Sequence, residues 1–198
     1  MIGRILLLAA AVLVPAGCAL LSPPRTEPAK AVLSELPAAV PHGFPHPNSL
    51  VVLPPQTTSA YDTVQMAYSE QPYQLAYFRD HEWAEPPSAM IQKLTVQTLE
   101  RTGSFRSVRS PPQTNRSDYT LRSELQTLIQ DYTRTPPMLR LVIRIELTGP
   151  SGRLLRGREF VEQEPMRERT PYAGVLAANA ALARALQAIA EFVVEQSH

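Results

Sequence analysis

The sequence predicts an α+β fold: a mainly antiparallel sheet of about five to six strands with two helices packed on one face. Three observations carry that expectation. Leu139, Leu141, Ile143, Ile145 and Leu147 alternate with Arg140, Arg144 and Glu146, the period-two signature of a strand with one buried and one wet face. Val175, Leu182, Leu186, Ile189 and Val193 recur at helical spacing within an alanine-rich run. Met90, Ile91, Leu94 and Leu99 form a second helical stripe between Pro86-Pro87 and Gly103. With 198 residues, 44% hydrophobic and 19% charged, the chain suits one globular domain plus a tail.

Residues 1–17 read as a signal peptide. Arg4 ends a short basic region, and Ile5 to Val14 is an apolar run too short to span a bilayer. Ala16-Gly17 then precede Cys18, the only cysteine. This resembles the lipobox of bacterial lipoproteins, cut before a cysteine whose thiol carries diacylglycerol. Pro15 departs from the leucine usual three positions before the cut. An ordinary signal peptide cut near Ala16 or Ala19 is the alternative. Two or more acyl chains would anchor stably, at about 0.8 kcal/mol per buried methylene. Ala19 follows the cysteine, not the aspartate that holds such lipoproteins at the inner membrane. By that resemblance the destination is the periplasmic face of an outer membrane.

Lipidated Cys18 and the proline-rich stretch to residue 48 are expected to form an extended tether. Prolines 23, 24, 28, 37, 41, 45 and 47 fix φ and withhold backbone donors. Residues 49–198 are then the domain. Leu50 to Leu53 reads as a first strand stopped by Pro54-Pro55, followed by polar loop. Thr63 to Ser69 and Tyr73 to Phe78 read as a hairpin. Pro86-Pro87 opens the first helix, with Glu85 favourably placed for its dipole. Gly103 suits the position after its end, and Phe105 to Val108 is a short strand.

Tyr119 to Ile129 and Leu139 to Leu147 are the two strongest strands. Tyr119, Leu121, Leu125 and Ile129 are expected on the buried face, with Arg122, Glu124, Gln126 and Gln130 opposite. Gly149 to Gly152 turns the chain into a polar edge strand, Arg153 to Glu162. Thr170 is the expected N-cap of the last helix, with Pro171 at its first position. Asn179 interrupts the apolar stripe of that helix, either as a helix-to-sheet hydrogen bond or among exposed first turns.

Little points to chemistry. No glycine-rich phosphate loop and no nucleophile-elbow serine occurs. His81 and Glu82 are neighbours and so face opposite sides of a strand. His42 and His46 are four apart, but prolines 41, 45 and 47 preclude the helix that would align them for a metal. Glu162 and Glu164 share one side of an edge strand, the ordinary pattern of surface charge. No cofactor, no metal and no enzyme activity are expected. Formal net charge is +1, and loss of Arg4 with the leader leaves 18 basic against 18 acidic residues, without the basic stripe of a nucleic-acid binder. Tyr77, Phe78 and Trp83 at the end of the aromatic strand are the candidate structural or interface residues, Trp83 as a plug joining first helix to sheet.

Taken together, these residues resemble the ABC-type transport auxiliary lipoprotein family, which includes the PqiC-like lipoproteins. The likeness lies in the lipobox cysteine, Leu50-Val51-Val52, Met66-Ala67-Tyr68 and Leu75-Ala76-Tyr77-Phe78. Trp83-Ala84-Glu85-Pro86 leading into a helix, Gly103 to Val108 and the alanine-rich last helix complete it. The resemblance implies a non-catalytic periplasmic lipoprotein of an ABC or MCE-domain system for lipids or hydrophobic compounds. Its partners would be an MCE-domain protein with permease and ATPase subunits, and PqiC-like members can assemble as rings. A lipoprotein that itself binds a hydrophobic ligand, or one that partners an outer-membrane barrel, is the alternative.

Overall fold

The computed structural model describes residues 27–112 and 117–197. In chain order the elements are β1 (Ala29–Ala31), β2 (His46–Val52), β3 (Gln56–Thr57), β4 (Gln65–Ser69), β5 (Ala76–Trp83), α1 (Pro87–Arg101), β6 (Phe105–Arg109), β7 (Tyr119–Asp131), β8 (Met138–Thr148), β9 (Leu154–Pro165) and α2 (Pro171–Gln196). β7 is the spine. One of its edges pairs with β8 along its length, and β9 lies beyond β8, both antiparallel. Its other edge receives β2, β3 and β4 in succession, all parallel to it. β6 adds outside β2, β5 outside β4, and β1 outside β5.

Among the described residues the sheet is therefore mixed and nine-stranded, not the mainly antiparallel sheet of five or six strands that the pattern predicts. Alternation tells which side chains face the core and is silent about strand direction. The parallel pairing of β2 with β6 rests on a crossover containing β3, β4, β5 and α1. β1 and β3 span three and two residues, too few to show any period.

A second departure lies inside β7. Its register with β8 slips between Leu125 and Thr127, so Gln126 is an extra residue and the facing side chains change phase. Beyond the bulge Leu128 and Gln130 are buried, while Ile129 is only half-buried. The expected assignment of Ile129 inward and Gln130 outward is thus reversed. Up to Leu125 the expected face holds.

The stretch expected as tether also departs from that reading, from residue 27 onward. β1 pairs with β5, Ala84 N–H donates to the Ala31 carbonyl at 2.7 Å, and Leu33 is buried in the core. Proline does not preclude this, because an edge strand and an arm over helices need few backbone donors. Residues 29–37 are an arm of the domain.

α1 begins as its prolines dictate, with Pro86 at the cap and Pro87 inside the first turn, and Gly103 follows its end at φ 65°. Thr170 caps α2, its hydroxyl accepting from Ala173 N–H at 3.2 Å. By length and composition α2 could cross a membrane, but here it is the core helix. Ala178, Ala181, Ala185 and Ala190 are fully buried, so its backbone lies close to the sheet. Leu121, Leu125, Leu141, Ile143 and Leu147 meet it from β7 and β8, and α1 adds Ile91, Leu94 and Leu99 to the same cluster.

Candidate functional site

Trp83 is 3% exposed and stands at a three-way joint. Its N–H donates to the Val64 carbonyl at 2.7 Å, its backbone pairs with Ala31 of the arm, and α1 begins four residues on. Tyr77 donates its hydroxyl to the Ala60 carbonyl at 2.9 Å, tying β5 to the loop before β4. Phe78 stacks on Tyr68 with ring centres 4.3 Å apart, and its edge meets Tyr132 at 6.4 Å and His81 at 6.3 Å. The Arg169 guanidinium lies 5.0 Å over the Tyr132 ring and donates to the Tyr132 carbonyl. Cys18 lies outside the described residues.

Beneath the start of α2 is a polar joint that alternation alone assigns to the wrong face. Gln130 accepts from the Tyr132 hydroxyl at 2.8 Å and donates to the Pro171 carbonyl at 3.3 Å. Burial pushes the Tyr132 phenol up to about 12, so it stays a donor. Gly174 leaves the room: a Cβ there would overlap the Gln130 carboxamide. The bulge in β7 is what turns Gln130 inward to this joint.

Above α2 runs the arm. The Asn179 carboxamide accepts from Ser34 N–H at 2.8 Å and Glu35 N–H at 3.1 Å. It donates to the Val32 carbonyl at 3.0 Å and the Val175 carbonyl at 3.1 Å. Arg101 donates to the Pro37 carbonyl at 2.9 Å, and Leu33 N–H meets the Met90 sulfur. The helix-to-sheet bond expected of Asn179 is not what it makes: its partners, residues 32–35, lie in the arm beyond β1. Between the arm and the first turns of α2 lies an open, mostly apolar groove of about 630 Å³. Ala29, Val32, His81, Tyr172, Leu176 and Asn179 line it. None of these was legible as a group, because the arm and α2 are some 140 residues apart in sequence and neither Tyr172 nor Leu176 belongs to the apolar stripe of α2.

The arrangement offers packing and backbone recognition. His81 meets only the edge of Phe78. Glu162 and Glu164 both pair with Arg184 of α2, at 3.0 and 2.8 Å, as surface ion pairs. Among the described residues no group of three or more His, Cys, Asp or Glu could hold a metal ion.

The family model described as ABC-type transport auxiliary lipoprotein component matches residues 32–190, most of the chain. The chain belongs to this family. Membership implies a cell-envelope location and an association with transport. The match begins inside the arm, in keeping with the arm's place in the domain.

Among solved structures, protein XCC0632 from Xanthomonas campestris, of family DUF330, superposes with a TM-score of 0.77 at 19% identity, over 84% of this chain and 95% of that one. An uncharacterized protein superposes at 0.69 with 15% identity, over 85% and 99%. Hypothetical protein CT253 from Chlamydia trachomatis reaches 0.50 at 7% identity, over 76% and 98%. At these identities the likeness is one of fold. No curated protein matches the lipoprotein in sequence.

Proposed function

We propose that this lipoprotein is a non-catalytic adaptor of an ABC transport system, acylated at Cys18 after removal of residues 1–17 and held at the periplasmic face of the outer membrane. In this reading an MCE-domain protein, with its permease and ATPase subunits, is the partner, and lipids or other hydrophobic compounds are what the system moves. The family match over residues 32–190 carries the proposal. Energy for transport would come from the partners, since the lipoprotein's sequence contains no phosphate-binding loop.

The interior favours an adaptor over a lipid carrier. A carrier would hold its ligand between helices and sheet, and that space is filled by Leu125, Ile143, Leu147, Ala181, Ala185 and Leu186, each 1% exposed or less. Self-assembly into a ring, as the PqiC-like resemblance implies, is compatible with the adaptor.

The test has two halves. Labelled palmitate is expected to enter the full-length protein and to be lost in Cys18→Ser; unchanged labelling of that variant would remove the anchor. The detergent-extracted protein is expected to co-purify with an MCE-domain protein encoded beside it. Isolation without it, but with a lipid detected by mass spectrometry, would turn the assignment to the carrier.

A further inference from the structure

The acyl anchor proposed above is close to the domain. With residues 29–37 packed as an arm, only eight residues, 19–26, lie between Cys18 and Glu27, the first described position. Such a span reaches at most ~30 Å fully extended. Two residues beyond Glu27, Ala29 already lines the open groove between arm and α2. The chain thus leaves the domain at the rim of that groove. Its wall presents Val32 at 51% exposure, Tyr172 at 65% and Leu176 at 53%.

We propose that this end of the domain seats directly on the lipid leaflet that holds the anchor. Val32, Tyr172 and Leu176 enter the boundary between headgroups and acyl chains. The seat requires the acylated Cys18 of the reading above. Aliphatic side chains favour the acyl region, and a tyrosine suits the headgroup level with its ring inward and hydroxyl outward.

The charge around the patch fits a lipid surface. Lys30 stands on one rim, and Arg167 lines the smaller groove that shares Leu176 on the other side. Glu35 lies on the first groove, and Glu164 on the second is held by Arg184. Cations flanking an apolar patch reach anionic headgroups without entering the bilayer core. An eight-residue leash also keeps the local concentration of leaflet at the patch high, so weak insertion of three side chains suffices.

The opposite end supplies an internal control. α2 has 26 residues, a length of about 39 Å. At its far terminus the Tyr119 hydroxyl donates to the Ser197 carbonyl. Leu154 lies at that end, since it pairs with Thr148, which in turn pairs with Thr120. It is 52% exposed, nearly the same as Leu176. Exposure alone therefore does not distinguish the two leucines, whereas distance from the anchor does.

The experiment uses full-length acylated protein in vesicles of phosphatidylethanolamine and phosphatidylglycerol containing a lipid with a nitroxide near its headgroup. Acylation blocks the Cys18 thiol, so Leu176→Cys and Leu154→Cys each take one environment-sensitive fluorophore. Both leucines are exposed, so neither change threatens folding. The label at 176 is expected to shift to the blue and lose most of its emission to the nitroxide, and the label at 154 to keep its emission. Protein that floats with the vesicles and quenches equally at both positions overturns the seat and leaves the anchor standing. Protein that does not float overturns the anchor and the seat together. A label at 176 that shifts but escapes quenching, with unlabelled Leu176→Cys protein cross-linking to another copy through that position, overturns the seat in favour of an interface between copies.

Discussion

Gly174 and Gln130 show how tightly single residues are fitted where α2 meets the sheet. The carboxamide occupies the space a Cβ at position 174 would need and links Tyr132 to Pro171. Gly174→Ala is expected to cost about 1–3 kcal/mol through overpacking. Combining it with Gln130→Ala should cost less than the two single changes together, because the new methyl enters the vacated space. Denaturant unfolding of the four proteins measures this, and strictly additive costs would argue against the fit. Asp118 is a second such residue. Its carboxylate accepts from Ser49 N–H at 2.7 Å and the Ser49 hydroxyl at 2.8 Å, which holds its pKa below the ordinary 3.8. A depressed folded pKa gives stability that is complete above the unfolded value and disappears as pH falls through the folded one. Wild type is therefore expected to melt above Asp118→Asn at neutral pH, with the gap closing only below pH 3.8. A gap independent of pH would show that the carboxylate charge contributes nothing there.

Among the elements, β5 and α1 meet at Trp83, and that joint is where the sequence speaks most directly. Trp83→Ala is expected to destabilise by about 3–5 kcal/mol, the range for emptying a buried aromatic site. Unchanged melting with loss of partner binding would make Trp83 an interface residue instead. Strands β7 and β8 and both helices were legible because each is long enough to repeat its period several times, while β9 was marked by the Gly149 to Gly152 turn ahead of it. Pro87, Gly103, Thr170 and Pro171 marked their ends through backbone chemistry that is local to each residue. Direction, by contrast, is a tertiary property, so the parallel set β2, β3 and β4 along one edge of β7 left no periodic trace. The bulge at Gln126 hid for a related reason: one extra residue shifts the phase of Leu128 and Gln130 without altering composition. The groove was the least legible part. Its walls meet where Asn179 reads the backbone of residues 32–35, and an asparagine in a helix gives no hint of which segment it will bind.

At the scale of the whole molecule, the decisive question is where the tether stops and the domain starts. Leu33 sits in the core, Ala29 to Ala31 extend the sheet, and Asn179 and Arg101 each hold an arm carbonyl. Deleting residues 29–37 would remove one fully buried leucine, worth about 1.5–3 kcal/mol. It would also remove the bonds that the Asn179 carboxamide and Ala84 N–H make to the arm, at about 0.5–1.5 kcal/mol for each, since water can reach these groups once the arm is gone. Each kcal/mol lowers the melting temperature of a domain this size by about 2–4 °C. Deleting residues 20–25 instead touches none of these contacts. The expected result is a marked fall in melting temperature for the first deletion and no change for the second, both read by circular dichroism on detergent-solubilised full-length protein. Asn179→Ala should fall between them and should speed amide exchange at Ser34 and Glu35, the two N–H groups it releases. If the arm deletion melts like the intact chain, residues 29–37 are dispensable to the core. The leash then lengthens to the span of the whole proline-rich stretch, and the domain is free to stand away from the membrane that the short leash would otherwise hold it against.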